Sequence, residues 1–262
     1  HIFHTLLVNL MGVWFGEDNA LAIRLPTLFF GIAGLWLIYL TALELFHSKK
    51  TASIALLIAS VNPVHIHYSQ TARGYSLIIF FSITVVFFSL KLLREKIERK
   101  HFVPLAICSF LSIYTLPTNI VFLFGLSFWF AIVLLVPLLR DEQGIPIEKQ
   151  RRKVIWLFNT GVLIAIASLL AYSPVLEEMI DTARTHHLLT IDKQTGTFTS
   201  LITSIPEIIF EGPLFWFLPF LVIGLFFGQK INSSRVLLLL IIYFIPLLIT
   251  LISGIGGYPR NY

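Results

Sequence analysis

Charged side chains are scarce in this sequence of 262 residues, where Asp, Glu, Lys and Arg together make up 13%. Hydrophobic residues make up 56% and the mean hydropathy is +0.85, which excludes an ordinary soluble domain. Apolar runs of about twenty residues recur, whereas the strands of a membrane barrel would alternate apolar and polar residues over roughly ten positions. The sequence therefore predicts an all-α polytopic membrane protein.

Cysteine is scarce, and the sequence does not begin with methionine. The one cysteine, Cys108, lies inside an apolar run, so no intrachain disulfide can form and the redox compartment stays open. The chain begins at His1 and ends at YPRNY without a closing tail, and we expect it to belong to a longer protein. We predict one membrane domain over residues 1–262, truncated at both ends.

Hydrophobic runs predict about eight transmembrane helices. They cover residues 25–46, 51–64, 76–93, 102–116, 120–139, 154–173, 213–228 and 236–253. The second run is short, and we expect it to complete its crossing with part of the polar stretch that follows it. Residues 1–15 and parts of the outer-face loop 174–212 have apolar faces at helical spacing, which predicts amphipathic helices at the membrane surface.

The net charge of +5 reflects membrane topology rather than a nucleic-acid partner. Four predicted loops, at 47–50, 91–101, 140–153 and 229–235, hold 14 of the 19 Lys and Arg residues. The positive-inside rule places these loops in the cytoplasm. The other five basic residues are Arg24, Arg73, Arg184, Lys193 and Arg260. We therefore predict a multi-pass protein of the cytoplasmic membrane whose functional face is outside.

A polar stretch from Asn62 to Leu77, here called the polar island, interrupts the hydrophobic runs. Its Arg73 carries a guanidinium group whose fork of donors matches phosphate oxygens. The ordinary alternatives are contact with any lipid phosphate or a pair with Glu17 or Asp18. The surrounding polar side chains favour a binding role. The candidate substrate-binding residues of the island are His65, His67, Tyr68, Gln70, Arg73 and Tyr75.

The candidate site extends to other residues predicted on the same face, namely His1, Arg24, Arg260 and Tyr262. Glu17 and Asp18 can act as a general base or as cation ligands, and a solvated turn favoured by the helix dipole explains them equally well. His65 and His67 could share a metal only in an extended or turn conformation, so hydrogen bonding is favoured. No metal is assigned, and a divalent cation is the one cofactor left open.

An ordered set of short motifs runs over roughly residues 1–95. It consists of His1, the Gly16–Asp18 turn, Arg-Leu-Pro-Thr at 24–27, Asn62-Pro63, Tyr68-Ser69 and Ala-Arg-x-Tyr at 72–75. In this order and spacing the set resembles the membrane glycosyltransferases of the GT-C type. The particular likeness is to the protein mannosyltransferase-like group, which includes the lipid A aminoarabinose transferases.

The resemblance implies transfer of a sugar, with inversion, from a polyprenyl-phosphate donor to a lipid, glycan or protein acceptor. It also implies arginines on the carrier phosphate and an outer-loop carboxylate as base. That group usually has Glu where this chain has Ala20 and Thr71, and its catalytic aspartate would precede His1. Glu17 and Asp18 are therefore the candidate catalytic residues within this chain. The alternatives are a transporter or flippase of lipid-linked glycan, or a non-catalytic lipid-binding membrane subunit.

Overall fold

The computed structural model describes residues 2–16, 19–94, 99–135, 147–178, 181 and 236–242. The helices are α1 Ile2–Phe15, α2 Ala20–Phe46, α3 Lys49–Val61, α4 Pro63–Gln70, α5 Tyr75–Arg94, α6 Arg99–Thr115, α7 Ile120–Leu135 and α8 Ile147–Tyr172. Short 3-10 turns cover Pro117–Asn119 and Ser173–Val175, and residues 236–242 are helical. The described residues contain no strand, and the predicted all-α class is confirmed.

Four helices within the described ranges are long and apolar enough to cross a membrane: Ala20–Phe46, Tyr75–Leu93, Pro117–Leu134 and Lys153–Glu178. They coincide with four of the predicted spans. The run 102–116 forms most of α6, which has 17 residues. The span 213–228, most of 236–253 and most of the loop 174–212 lie outside the described residues. The total of eight spans and the interfacial helices therefore stay predictions.

Two contacts show that α2 and α5 run side by side in the same direction. Glu44 near the end of α2 forms an ion pair with Lys91 near the end of α5, at 3.3 Å. Fourteen residues earlier in α2, the Phe30 ring packs on the rings of Phe80 and Phe81, with centroids 5.0 and 5.5 Å apart. We call the end with Glu44 and Lys91 the basic end and the opposite end the island end.

The largest buried cluster occupies the half of the bundle toward the basic end. Trp129 is completely buried, and Leu45, Val85 and Phe130 belong to the same cluster.

Helix α8 is fixed at both of its ends. The Lys153 ammonium donates to the carbonyls of Leu92 at 2.7 Å and Leu93 at 3.1 Å, where α5 ends. The Tyr172 hydroxyl donates to the carbonyls of Ile113 at 2.8 Å and Tyr114 at 3.2 Å, where α6 ends.

Helix α1 packs along α2, and its position at the membrane surface stays a prediction. Gly16, at φ +90°, closes α1, because this left-handed conformation costs glycine little. The Asn19 side chain then caps α2 by accepting from the backbone N–H of Leu21 at 3.1 Å. As a result α1 lies alongside α2, and the centroid of the Phe3 ring is 5.9 Å from that of Phe81 in α5.

The second apolar run does not continue straight into the polar island, which corrects the predicted span 51–64. The Asn62 side chain accepts from the backbone N–H of Val64 at 2.9 Å and of His65 at 3.3 Å, so it caps a new helix. Pro63 occupies the first helical position, where a missing N–H costs nothing. The chain therefore breaks after Val61, and most of the polar island forms the separate short helix α4.

Candidate functional site

Helix α4 is seated on α2 through a contact between two small residues. Ser69 is buried, and an added Cβ at Gly31 would lie 2.8 Å from the Ser69 Cβ, closer than side chains pack. The Ser69 hydroxyl donates back to the His65 carbonyl at 2.8 Å, so its polar atom is satisfied inside α4. Gly31 therefore lets the backbones of α2 and α4 approach, and this contact sets the position of the polar island.

The two island histidines point to different surroundings. His65 is half-buried against α2, and its ring hydrogen-bonds to the backbone of Gly31. Its Nε2 atom is buried and has no hydrogen-bond partner among the described residues.

His67 lies on the exposed side of α4. Residues at i and i+2 of a helix diverge by about 200°, so these two histidines do not converge on one metal ion. Over the part of the chain that the structure describes, no group of three His, Cys, Asp or Glu side chains could hold a metal.

Tyr68 and Tyr75 form a tilted ring pair that joins α4 to the start of α5. Their ring centroids are 4.6 Å apart at an interplanar angle of 32°. The Ser76 hydroxyl donates to the Tyr68 carbonyl at 2.6 Å, which adds a second link across the connection. The His67 ring lies 5.7 Å from that of Tyr68. The end of α4 and the start of α5 therefore form one aromatic and polar surface.

Arg73 lies in the non-helical connection 71–74 and is exposed next to this surface. Its backbone N–H donates to the Thr71 carbonyl at 2.7 Å, which gives the connection a tight bend. Gln70, the last residue of α4, is also exposed. Arg24 is exposed in the second turn of α2, and it lies about 9 Å toward the island end from Phe30. Tyr75 lies about 8 Å from Phe80 in the same direction, so Arg24 and Tyr75 are at similar levels.

Helices α2 to α5 place no carboxylate near the polar island, whereas Glu177 and Glu178 follow α8 at the same end of the bundle. Within the described parts of α2 to α5 the only acidic residue is Glu44, which pairs with Lys91 at the basic end. No carboxylate of these four helices therefore competes for Arg24 or Arg73. Five predicted site residues lie outside the described residues: His1, Glu17, Asp18, Arg260 and Tyr262.

Three small residues position the site, and of these only Ser69 belongs to the ordered motifs of residues 1–95. Gly31, Ser69 and Ser76 carry little chemistry of their own, and they act by fixing α4 against α2 and α5. A glycine inside an apolar run is the signal that would have pointed to Gly31, because small residues mark close helix crossings in membranes.

No protein-family model, no curated protein and no solved structure matches this chain. The resemblance drawn from the ordered motifs therefore rests on those residues alone, and the function follows as a proposal.

Proposed function

We propose that this chain is the membrane domain of a glycosyltransferase that uses a polyprenyl-phosphate-linked sugar as donor. The observation that carries the proposal is the exposed Arg73 beside the Tyr68–Tyr75 ring pair, next to helices α2 to α5 whose one described acid, Glu44, lies at the basic end. The resemblance over residues 1–95 supplies the reaction class. The acceptor is a lipid, glycan or protein at the outer face of the cytoplasmic membrane.

The chemistry of the site suits an anionic lipid phosphate. A guanidinium group stays charged at every physiological pH and can give two parallel hydrogen bonds to phosphate oxygens. Arg24 is exposed at a similar level of the bundle, so it is the second candidate for the same carrier phosphate. Charge-assisted bonds are shorter and roughly twice as strong as neutral ones, which favours a phosphate over a neutral ligand at Arg73.

The proposed reaction also needs a base that activates the acceptor hydroxyl. The base takes the proton as the acceptor oxygen attacks the sugar carbon, and the carrier phosphate leaves with the bonding electrons. Arg73 and Arg24 stabilise the charge that builds up on that leaving phosphate. Glu17 and Asp18 are the candidates for the base in this chain, and a carboxylate upstream of His1 is the alternative.

Transfer measured in lipid vesicles tests this proposal. The full-length protein is reconstituted with a polyprenyl-phosphate hexose and candidate lipid, glycan or peptide acceptors, and release of polyprenyl phosphate is followed for the wild type, Arg73→Ala and Lys50→Ala. Lys50 is exposed at the basic end, so its variant is the control for loss of one cation. We expect Arg73→Ala to lower turnover by at least about ten-fold, the cost of one charge-assisted bond. The wild type's failure to bind or consume any polyprenyl-phosphate sugar would overturn the proposal.

A further inference from the structure

Helix α8 crosses the bundle with its polar side chains on the inner face. The buried residues of its described part are Lys153, Thr160, Ser168 and Tyr172. Lys153 bonds to the end of α5 and Tyr172 to the end of α6. The separation of these two residues along the helix corresponds to about 29 Å, close to the hydrocarbon thickness of about 30 Å. The outer face of α8 between them therefore lies at hydrocarbon depth.

A row of exposed side chains runs along this outer face, and we call it the α8 seam. Its members follow one another at alternating steps of four and three residues: Ile155, Asn159, Val162, Ile166 and Leu169. The four apolar members are between 41% and 62% exposed, and Asn159 is exposed as well. Such steps repeat every seven residues, which is the period that keeps side chains on the line of contact between two helices crossing at a small angle.

Asn159 is the member of the α8 seam that lipid does not explain. It lies six residues from Lys153, whose ammonium marks the end of the α5 span, so it is about 9 Å inside the hydrocarbon layer. A carboxamide carries two N–H donors and one carbonyl acceptor, and hydrocarbon offers no partner to any of them. Polar side chains at this depth face protein or water. A lipid cover accounts for the four apolar residues of the seam but not for Asn159.

We infer that the α8 seam binds the same seam of a second copy of this chain, with the two helices parallel and the two Asn159 carboxamides hydrogen-bonded to each other. A two-fold axis normal to the membrane places equal residues at equal depth. One carboxamide matches another, because each has both donors and an acceptor. A single Asn in a seven-residue repeat of apolar contact residues fixes the register of such a helix pair. This contact does not depend on the proposed function.

The remaining predicted spans of this chain match Asn159 less well. The run 213–228 contains no Asn, Gln, Ser, Thr or His, and its one hydrogen-bonding side chain, Trp216, is three residues from its outer end. Asn159 lies toward the basic end instead. The described start of the predicted span 236–253 already packs in the core cluster at the basic end. Its Tyr243 is the alternative partner, and the experiment below separates the two.

Disulfide cross-linking in membranes tests the contact. In a Cys108→Ala background, which removes the one native thiol, single cysteines are placed at Val162 or Ile166 of the full-length protein. The control is a cysteine at Ile32, which is 62% exposed on α2. Vesicles with little protein per lipid are oxidised, and covalent dimers are followed over time. A disulfide needs closely spaced Cα atoms, so we expect dimers to form at least about ten-fold faster at the two seam positions than at Ile32.

A second measurement isolates the carboxamide. The dissociation constant of the dimer is measured in vesicles by energy transfer between labelled copies of the wild type, Asn159→Leu and Asn9→Leu. Asn9 is exposed on α1, so its variant is the matched control for the same substitution outside the seam. We expect Asn159→Leu to raise the dissociation constant about ten-fold, because the interhelical hydrogen bonds are lost, and Asn9→Leu to leave it unchanged.

Three results would overturn the inference. Cross-linking at Val162 and Ile166 that is no faster than at Ile32 would exclude the seam as a contact between copies. An equal dissociation constant for the wild type and Asn159→Leu would exclude the paired carboxamides. A disulfide within one chain between Asn159→Cys and Tyr243→Cys, without covalent dimers at Val162 or Ile166, would assign the seam to the predicted last span of the same chain.

Discussion

The contact between Gly31 and Ser69 predicts that a single methyl group on α2 displaces the polar island. In Gly31→Ala the new Cβ would lie 2.8 Å from the Ser69 Cβ and closer still to its hydroxyl oxygen. The hydroxyl can rotate away, but the Cβ is fixed to the backbone. Helix α4 must therefore move outward, and the Tyr68–Tyr75 ring pair and Arg73 move with it, because Tyr68 lies in α4 and Arg73 follows α4 directly in the chain.

The size of the effect follows from two opposing contributions. Forcing an extra methyl into a packed contact costs about 1–3 kcal/mol, while alanine is favoured over glycine inside a helix by about 1 kcal/mol. Gly34→Ala gains the helix preference for alanine without the cost of a clash, since nothing lies within 4 Å of a Cβ at that position of the same helix. The two variants should therefore differ by about 1–3 kcal/mol, or about 5- to 150-fold in the population with α4 seated on α2.

Two measurements on the full-length protein check this prediction. Thermal unfolding in detergent should show a lower Tm for Gly31→Ala and an equal or higher Tm for Gly34→Ala, and binding of a polyprenyl-phosphate hexose should weaken in Gly31→Ala alone. Ser69→Gly removes both clashing atoms, so the double variant Gly31→Ala/Ser69→Gly should regain binding. Equal behaviour of Gly31→Ala and Gly34→Ala, or a double variant no better than Gly31→Ala, would refute the reasoning.

Two further predictions concern single side chains. Lys153→Met removes the ammonium that donates to the Leu92 and Leu93 carbonyls, so we expect a loss of about 2 kcal/mol in unfolding free energy. Lys50→Met, at an exposed position, is the control, and an equal effect of both would contradict the assignment. Tyr172→Phe loses the hydroxyl bonds to α6 and should cost about 1 kcal/mol, with donor binding unchanged.

The sequence was most informative where apolar runs are long. The runs beginning at Leu25, Ser76, Ile120 and Val154 each correspond to a helix that can cross a membrane, because length and composition alone determine that property. The break after Val61 was missed, although Asn62 followed by Pro63 is a pattern typical of a helix start. The prediction of one span over residues 51–64 did not take this local capping chemistry into account.

The position of the candidate site depends on contacts that a sequence does not display. Arg73, Tyr68 and Tyr75 were identified from residue type and spacing, and the structure brings the two tyrosines together. The packing of α1 along α2 depends on the left-handed turn at Gly16, and the close approach of α4 to α2 depends on Gly31. Both are tertiary effects of glycine, whose missing side chain leaves no hydrophobic or charge pattern to interpret.

Equilibrium binding of a polyprenyl-phosphate hexose to the reconstituted full-length protein tests the central claim most directly. The account predicts saturable binding by the wild type and by Lys50→Ala, and about ten-fold or greater weakening in Arg73→Ala, since charge-assisted bonds to the phosphate are lost. Binding of equal strength in the wild type and Arg73→Ala, or no saturable binding by the wild type, would contradict the account.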